Sequence, residues 1–480
     1  MKNMSRRFTI LLVTLGNSLT LFAVTPVGWR MDGSSVFSMA NPQTHWGAAE
    51  HVVWATPLPQ WSNASPVLVG NRIFVCAEPS TLLCLDSTGK ILWQHSNDYS
   101  DLPAPSAAEL EKNRAAIVDQ HLQEQLAGLQ AGITGKIAEL AQLKADATAN
   151  KDDPAAKAKV DAKTKEIGPL EQKVQAINKQ IKALTPVSEW KLPPTHPTNG
   201  YTTATPVCDG RFVYATFGSG IVACYAMDGT RQWLHFFSED SHSPNGWGNA
   251  SSPVLLGNML ITHYLDMVAL DARTGKELWR ARHDHNWGTP AIVALGKLTL
   301  LITDGGEVIN AADGKTMAST MKLSFCSPLA KDDVVYCADN GKAQAFRLAV
   351  DNQGQVTAMM LWEMKVAGDR HYASPLIADG CLYLVNKDGV LDVLDANTGK
   401  VAYEQRLSLG GTVFPSPVLA GNVVIISSDD GKSVVLKQGT TYEEVARCAL
   451  EPFRATPVCA GARMFVRTCS KESKLYCIGE

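Results

Sequence analysis

The chain has 480 residues, 45% hydrophobic and 19% charged, with a formal net charge of -3, the profile of an ordinary globular protein and not of a disordered or polyionic one. Its 44 basic residues stand against 47 acidic ones, so no concentrated positive face is expected and nucleic-acid binding is set aside as a function class. Length alone leaves the domain count open, because closed all-β architectures run as one unit well past the usual domain size.

Lys2, Arg6 and Arg7 precede a mostly apolar run from Phe8 to Val24 and then Pro26, the layout of a secretory signal. The run is 17 residues long and carries polar interruptions, short of the roughly 20 residues that span a bilayer. Residues 1–23 are therefore expected to be a signal peptide, with a mature chain that is periplasmic or secreted and does not span the membrane. An oxidising compartment permits disulfides. Cys76 with Cys84, and Cys469 with Cys477, are expected to face each other across hairpins, although eleven cysteines leave at least one unpaired. No CxxC or Cys/His cluster has zinc-like spacing.

The internal repeat decides the architecture. Eight Ser-Pro or Thr-Pro pairs each lead into a short apolar strand: Ser65-Pro66, Thr205-Pro206, Ser252-Pro253, Thr289-Pro290, Ser327-Pro328, Ser374-Pro375, Ser416-Pro417 and Thr456-Pro457. Successive starts lie 140, 47, 37, 38, 47, 42 and 40 residues apart, one period interrupted by a single insertion. Each unit then runs through a Gly-containing turn, a second strand, another turn, a third strand ending in Asp, a Thr-Gly-Lys turn and a fourth strand. Ser252–Arg280 is the clearest copy, with Asp271, Thr274-Gly275-Lys276 and Trp279. Four short strands per unit define a propeller blade.

Glycine in these turns supplies backbone angles denied to other residues, and the preceding Asp binds the turn amides. Asp86, Asp271 and Asp395 are accordingly read as turn residues and not as metal ligands. Tryptophans 54, 93, 233, 279 and 362 recur at one fourth-strand register and are read as rings that dock neighbouring blades. The last unit ends after its third strand, while Val52-Val53-Trp54-Ala55 is a fourth strand without a unit of its own. The two termini are expected to complete one blade together, which removes an exposed sheet edge. The expected fold is all-β: an eight-bladed β-propeller with N- and C-terminal strands closing one blade.

These motifs resemble the pyrroloquinoline quinone-like repeat β-propeller family over about 50–100 and 200–480. That group includes quinoprotein dehydrogenases and non-enzymatic outer-membrane assembly propellers. Gly246–Pro253, with Asn286–Pro290, resembles its exported bacterial members. For an enzyme, the resemblance implies the quinone held by calcium, a catalytic Asp, a stacking Trp and often an adjacent cysteine pair. This chain has no Cys-Cys pair and no assignable Glu/Asn/Asp set.

The insertion, 101–186, interrupts the propeller between 24–100 and 187–480. Its core from Pro105 to Pro186 is rich in Ala, Lys, Glu, Gln and Leu, a helix-forming composition. Val118, Leu122, Leu126, Leu129, Ile133, Ile137 and Leu140 step by threes and fours, and Val160 to Leu184 keep seven-residue timing. An antiparallel helical coiled-coil hairpin is expected, broken at Asn150–Pro154 and kinked by Gly168-Pro169.

First strands of a propeller line its channel, so residues just before each Ser/Thr-Pro pair are expected to gather at one mouth. The candidate ligand-binding set there is Asn249, Asn286, Trp287, Arg370, His371, Tyr372 and Arg454. His283 and His285 beside Asp284 are read as polar loop residues. No catalytic residue and no metal ligand is assigned, and Gly-x-Ser-x-Gly, His-Glu-x-x-His and P-loop motifs are absent from the sequence. The expected function is a non-catalytic scaffold without cofactor that binds a protein partner in the cell envelope, with the hairpin as a second contact surface. A quinone- and calcium-dependent dehydrogenase of alcohols or sugars, and a glycan-binding module, are the alternatives.

Overall fold

The computed structural model describes residues 26–102, 122–149, 153–185, 190–237, 246–264, 266–283 and 287–480. The expected signal segment lies outside them. Eight sheets of four antiparallel strands follow one another around a central channel, each one repeat, and are numbered blades 1 to 8 in the order of the Ser/Thr-Pro pairs from Ser65 to Thr456. Blade 1 is Val67–Val69, Arg72–Ala77, Thr81–Asp86 and Ile91–Ser96, from the channel outward. Its second and third strands are buried almost throughout, while the fourth alternates half-buried with exposed. Inner strands are covered by neighbouring blades on both faces, whereas an outer strand meets solvent on one.

Blade 8 is made from both ends of the chain. Val52–Pro57 pairs antiparallel with Lys474–Ile478, placing Trp54 opposite Cys477 and Ala55 opposite Tyr476. The buried Arg467 reinforces this closure. Its guanidinium donates to the carbonyls of Gln60 at 2.6 Å and Cys76 at 3.1 Å, and burial lowers its pKa to about 10.

The repeated tryptophans dock blades as expected. Each ring nitrogen donates to a carbonyl of the next blade: Trp54 to Ser87, Trp93 to Met227, Trp233 to Ala272, Trp279 to Ala311 and Trp362 to Ala396. Each ring also lies on the glycine of that blade's last turn. At Gly399, with φ +72, an added Cβ would fall 2.6 Å from the Trp362 ring. The turn glycine is thus required twice, for its backbone angle and for the ring above it. Asp86, Asp271 and Asp395 bind their turns, accepting from the backbone and hydroxyl of Thr88, Thr274 and Thr398.

The cysteines expected to face each other do not, and all eleven thiols are free. The register opposes Cys76 to Leu82 and Cys84 to Phe74, a diagonal relation at about 7–8 Å, beyond the usual disulfide Cα separation. Cys477 faces Phe465, and Cys469 lies beyond that strand, its thiol against the Pro452 carbonyl.

Residues 27–37 form an unforeseen strap across the channel, and 38–50 lead outward past blade 7, where the Thr44 carbonyl meets the Cys448 thiol, to the outermost strand of blade 8. Val27 exchanges two 2.8 Å backbone hydrogen bonds with Cys208 of blade 2. Arg30, buried and with its pKa lowered to about 9 by burial, donates to the carbonyl of Pro375 in blade 6, on the opposite side of the ring. Val36–Phe37 then adds a parallel strand inside Val418–Ala420 of blade 7, and Asn41 donates to the Gly461 carbonyl of blade 8.

The insertion forms a helical hairpin of α1 (Leu122–Ala149) and α2 (Pro154–Leu184). Asp153 caps α2 by accepting from the Ala155 amide, Pro154 occupies the first turn, and the helix runs on through Pro169. Leu122, Ile133, Ile167, Val174 and Ile177 are buried, but Ile137, expected in the same seam, is 47% exposed. Lys163 of α2 pairs with Glu139 of α1 across the hairpin and with Glu166 on its own helix. The root is fixed to the rim of blade 2, where Trp190 stacks on Phe236 at 5.0 Å and Tyr99 meets both edge-on.

Trp362→Ala is expected to lower the unfolding free energy by about 3–5 kcal/mol, read as a fall in the urea midpoint. Gly399→Val is expected to destabilise the same junction, since it drives a side chain into the intact ring.

Candidate functional site

Above the strap the channel opens into a cup of about 550 Å³, within the size range of small-ligand sites. All eight Ser/Thr residues of the Ser/Thr-Pro pairs line it, and Trp29 of the strap contributes from below. At seven of the eight junctions the Ser/Thr amide of one blade donates to the Ser/Thr hydroxyl of the next, at 2.8–3.1 Å. The side chain must be small to fit where blades converge and must carry an acceptor for that amide. The proline that follows removes an N–H that would face the open channel.

The residue two positions before each of these Ser/Thr residues faces the cup: Asn63, Thr203, Ala250, Trp287, Phe325, Tyr372, Phe414 and Arg454. Four consecutive blades supply an aromatic arc. Trp287 stacks on Phe325 with centroids 5.5 Å apart, Phe325 meets Tyr372 edge-on at 5.0 Å, and Tyr372 stacks on Phe414 at 4.9 Å. Arg370 lies over Phe325 and Arg454 over Phe414. The opposite side is polar, where Asn63 donates to the Thr198 carbonyl and the Thr203 hydroxyl.

Of the residues expected at the mouth, Trp287, Arg370, Tyr372 and Arg454 line the cup. Asn249 and His371 do not. They sit three positions before their Ser/Thr residues, and alternation along extended backbone turns them into the blades, where they are 7% and 1% exposed. Asn249 borders a separate cavity of about 20 Å³ with Thr216 and Ser251. Asn286 lies outside the described residues, as do His285 and Asp284. His283 pairs with Glu307 at 3.1 Å and with the Gly314 carbonyl, a structural contact between blades 3 and 4. The hydroxyl ring, Ala250 and Trp29 were missed; the eightfold register was the signal for the first two.

The loops forming the mouth are held by carboxylates from the ends of second strands. Glu78 accepts from the Tyr201 and Thr202 amides, Asp304 from Gly288, Asp339 from Ser324 and Asp429 from Thr412. Burial raises the pKa of Glu78 and Asp339. Arg454 places Nε 3.5 Å from Asp429, but that nitrogen makes no aligned hydrogen bond. Asp429 is the cup's one carboxylate among the described residues, and no cluster of three metal-ligating side chains occurs among them. Calcium is held chiefly by carboxylate and carbonyl oxygens, and the single carboxylate described in the cup stands beside Arg454, so the described lining does not match the calcium-held quinone site that the family resemblance implies for an enzyme.

Burial lowers the pKa of His371 from its ordinary 6.5 to about 4, so the unfolded chain takes up a proton that the folded one refuses. The stability linked to His371 is intact above pH 6.5 and is lost as pH falls towards 4. Asp392, raised to about 6 by burial, works in the opposite sense, its contribution fading as pH rises through 6. His371→Leu is therefore expected to gain relative to wild type between pH 6.5 and 4, by up to about 3 kcal/mol, in paired denaturant titrations that cancel Asp392.

Among solved structures, BamB from Moraxella catarrhalis is 10% identical with a TM-score of 0.53, over 89% of this chain and 99% of that one. The computationally designed Ika8 protein is 11% identical with a TM-score of 0.50, over 92% and 100%. At such identities the likeness is one of fold. No curated protein sequence matches the chain significantly. A family model described as outer membrane protein assembly factor BamB matches residues 30–234 and 266–478. It spans both halves of the repeat array and agrees with the quinone-like repeat motifs, so the chain belongs to that family of propellers.

Proposed function

We propose that this chain is an exported, non-catalytic scaffold that holds a protein partner in the cell envelope. The observation that carries the reading is a sealed ring with a helical arm attached to its rim. The arm is fixed at one end by Tyr99, Trp190 and Phe236, and α1, 28 residues long, reaches on the order of 40 Å. Two helices burying only a shared seam gain little stability alone, and Ile137 on the arm is left exposed. The name of the family, an outer membrane protein assembly factor, supports an envelope role. Among the described residues no helix is long and apolar enough to cross a membrane.

Replacing residues 106–185 by a short Gly/Ser linker is expected to abolish recovery of the envelope partner in a pull-down while leaving the melting temperature of the propeller nearly unchanged. Undiminished recovery would remove the hairpin from the interface. The dehydrogenase alternative predicts that the purified chain, mixed with pyrroloquinoline quinone and calcium, retains visible absorbance through gel filtration and oxidises an alcohol or sugar. The scaffold reading predicts that it does neither.

A further inference from the structure

The cup has a chemistry that the scaffold role does not use. Seven hydroxyls, from Thr205, Ser252, Thr289, Ser327, Ser374, Ser416 and Thr456, each accept a backbone amide and keep their own proton to donate. Among the described residues none of them donates to a protein group, so they are free to donate to what fills the cup. Among the described residues its charged lining is Arg370, Arg454 and Asp429, two cations to one anion. Arg370 is exposed at the rim, donating to the Tyr372 hydroxyl at 3.3 Å. Beside these donors stands the apolar wall of Trp287, Phe325, Tyr372 and Phe414.

We propose that the cup binds an anionic saccharide. Sugar rings offer many acceptor oxygens to the hydroxyl ring and an apolar C–H face to the aromatic wall, and an acidic group matches Arg454 and Arg370. An extended peptide fits less well. The backbone amides at the mouth are already bound to hydroxyls, the next residue in each unit is proline, and Val36–Phe37 covers the inner edge of blade 7, so no strand ladder is on offer. The site is separate from the hairpin, and its failure would leave the scaffold reading standing.

The test is titration of the full-length protein, followed by tryptophan fluorescence and calorimetry, with digalacturonate and N-acetylglucosaminyl-N-acetylmuramic acid as acidic probes. N,N′-diacetylchitobiose, called chitobiose below, serves as the neutral control and triglutamate as the acidic peptide control. At least one acidic sugar is expected to bind, tenfold or more tighter than chitobiose, and more weakly as salt rises. Arg454→Gln and Phe325→Ala are each expected to weaken it at least tenfold. Arg370→Gln, at the exposed rim where folding is not at issue, is expected to weaken it severalfold. Failure of both acidic sugars at millimolar concentration, equal binding of chitobiose, or preferential binding of triglutamate would each overturn the proposal, as would wild-type affinity in both arginine variants.

Discussion

Blades of a propeller approach one another most closely at the axis, and the bond made there governs what the rest of the chain is allowed to be. A backbone amide of one blade meets a hydroxyl of the next at seven junctions. A larger side chain would force the inner strands apart, and an alanine would leave the amide buried without a partner, a loss on the order of 1–3 kcal/mol at each junction. The Ser/Thr-Pro repeat therefore records a steric and hydrogen-bonding limit imposed by eightfold convergence. The same limit makes the channel floor rich in donors, so a requirement of assembly creates the chemical character of the cup.

Towards the rim the blades diverge and a large filler replaces the small one. Five junctions use an indole lying on a turn glycine; the others improvise. Between blades 6 and 7, Tyr403 meets Tyr442 edge-on with centroids 6.0 Å apart. Between blades 4 and 5, the long outer strand Val356–Lys365 packs beside Thr316–Ser319. A wedge can be filled by different rings or by a longer hairpin, because dispersion rewards volume and not identity. At the axis there is no such latitude, which is why the hydroxyl register is unbroken while the tryptophan register is not.

This difference explains what could be read in advance. Eight evenly spaced pairs, Trp54 without a unit of its own, and a helical insertion with seven-residue timing were legible, because repetition and periodicity are local signals. The side of the chain that faces the channel was harder. Tyr372 and His371 are neighbours, and one residue of phase sends the first into the cup and the second into the core; only comparison of all eight units at one offset resolves that phase. The strap could not be read at all. Residues 27–50 carry no repeat, and the partners of Val27, Arg30 and Val36 lie 181, 345 and 383 positions away. The supposed cysteine pairs failed for a related reason, since hairpin proximity does not fix register and two residues of stagger separate Cys76 from Cys84.

The way blade 8 is built sets an order of events for synthesis. Val52–Pro57 emerges long before Lys474–Ile478, the strand it pairs with, and the strap needs blades 6, 7 and 8 before Arg30, Val36 and Asn41 find their partners. Until the final residues arrive, the nascent polypeptide holds an incomplete crescent with two raw strand edges, a species prone to sticking to its neighbours. Ring closure thus leaves the fold incomplete until the last strand is available, and the open crescent is the form in which the chain is most exposed to its neighbours.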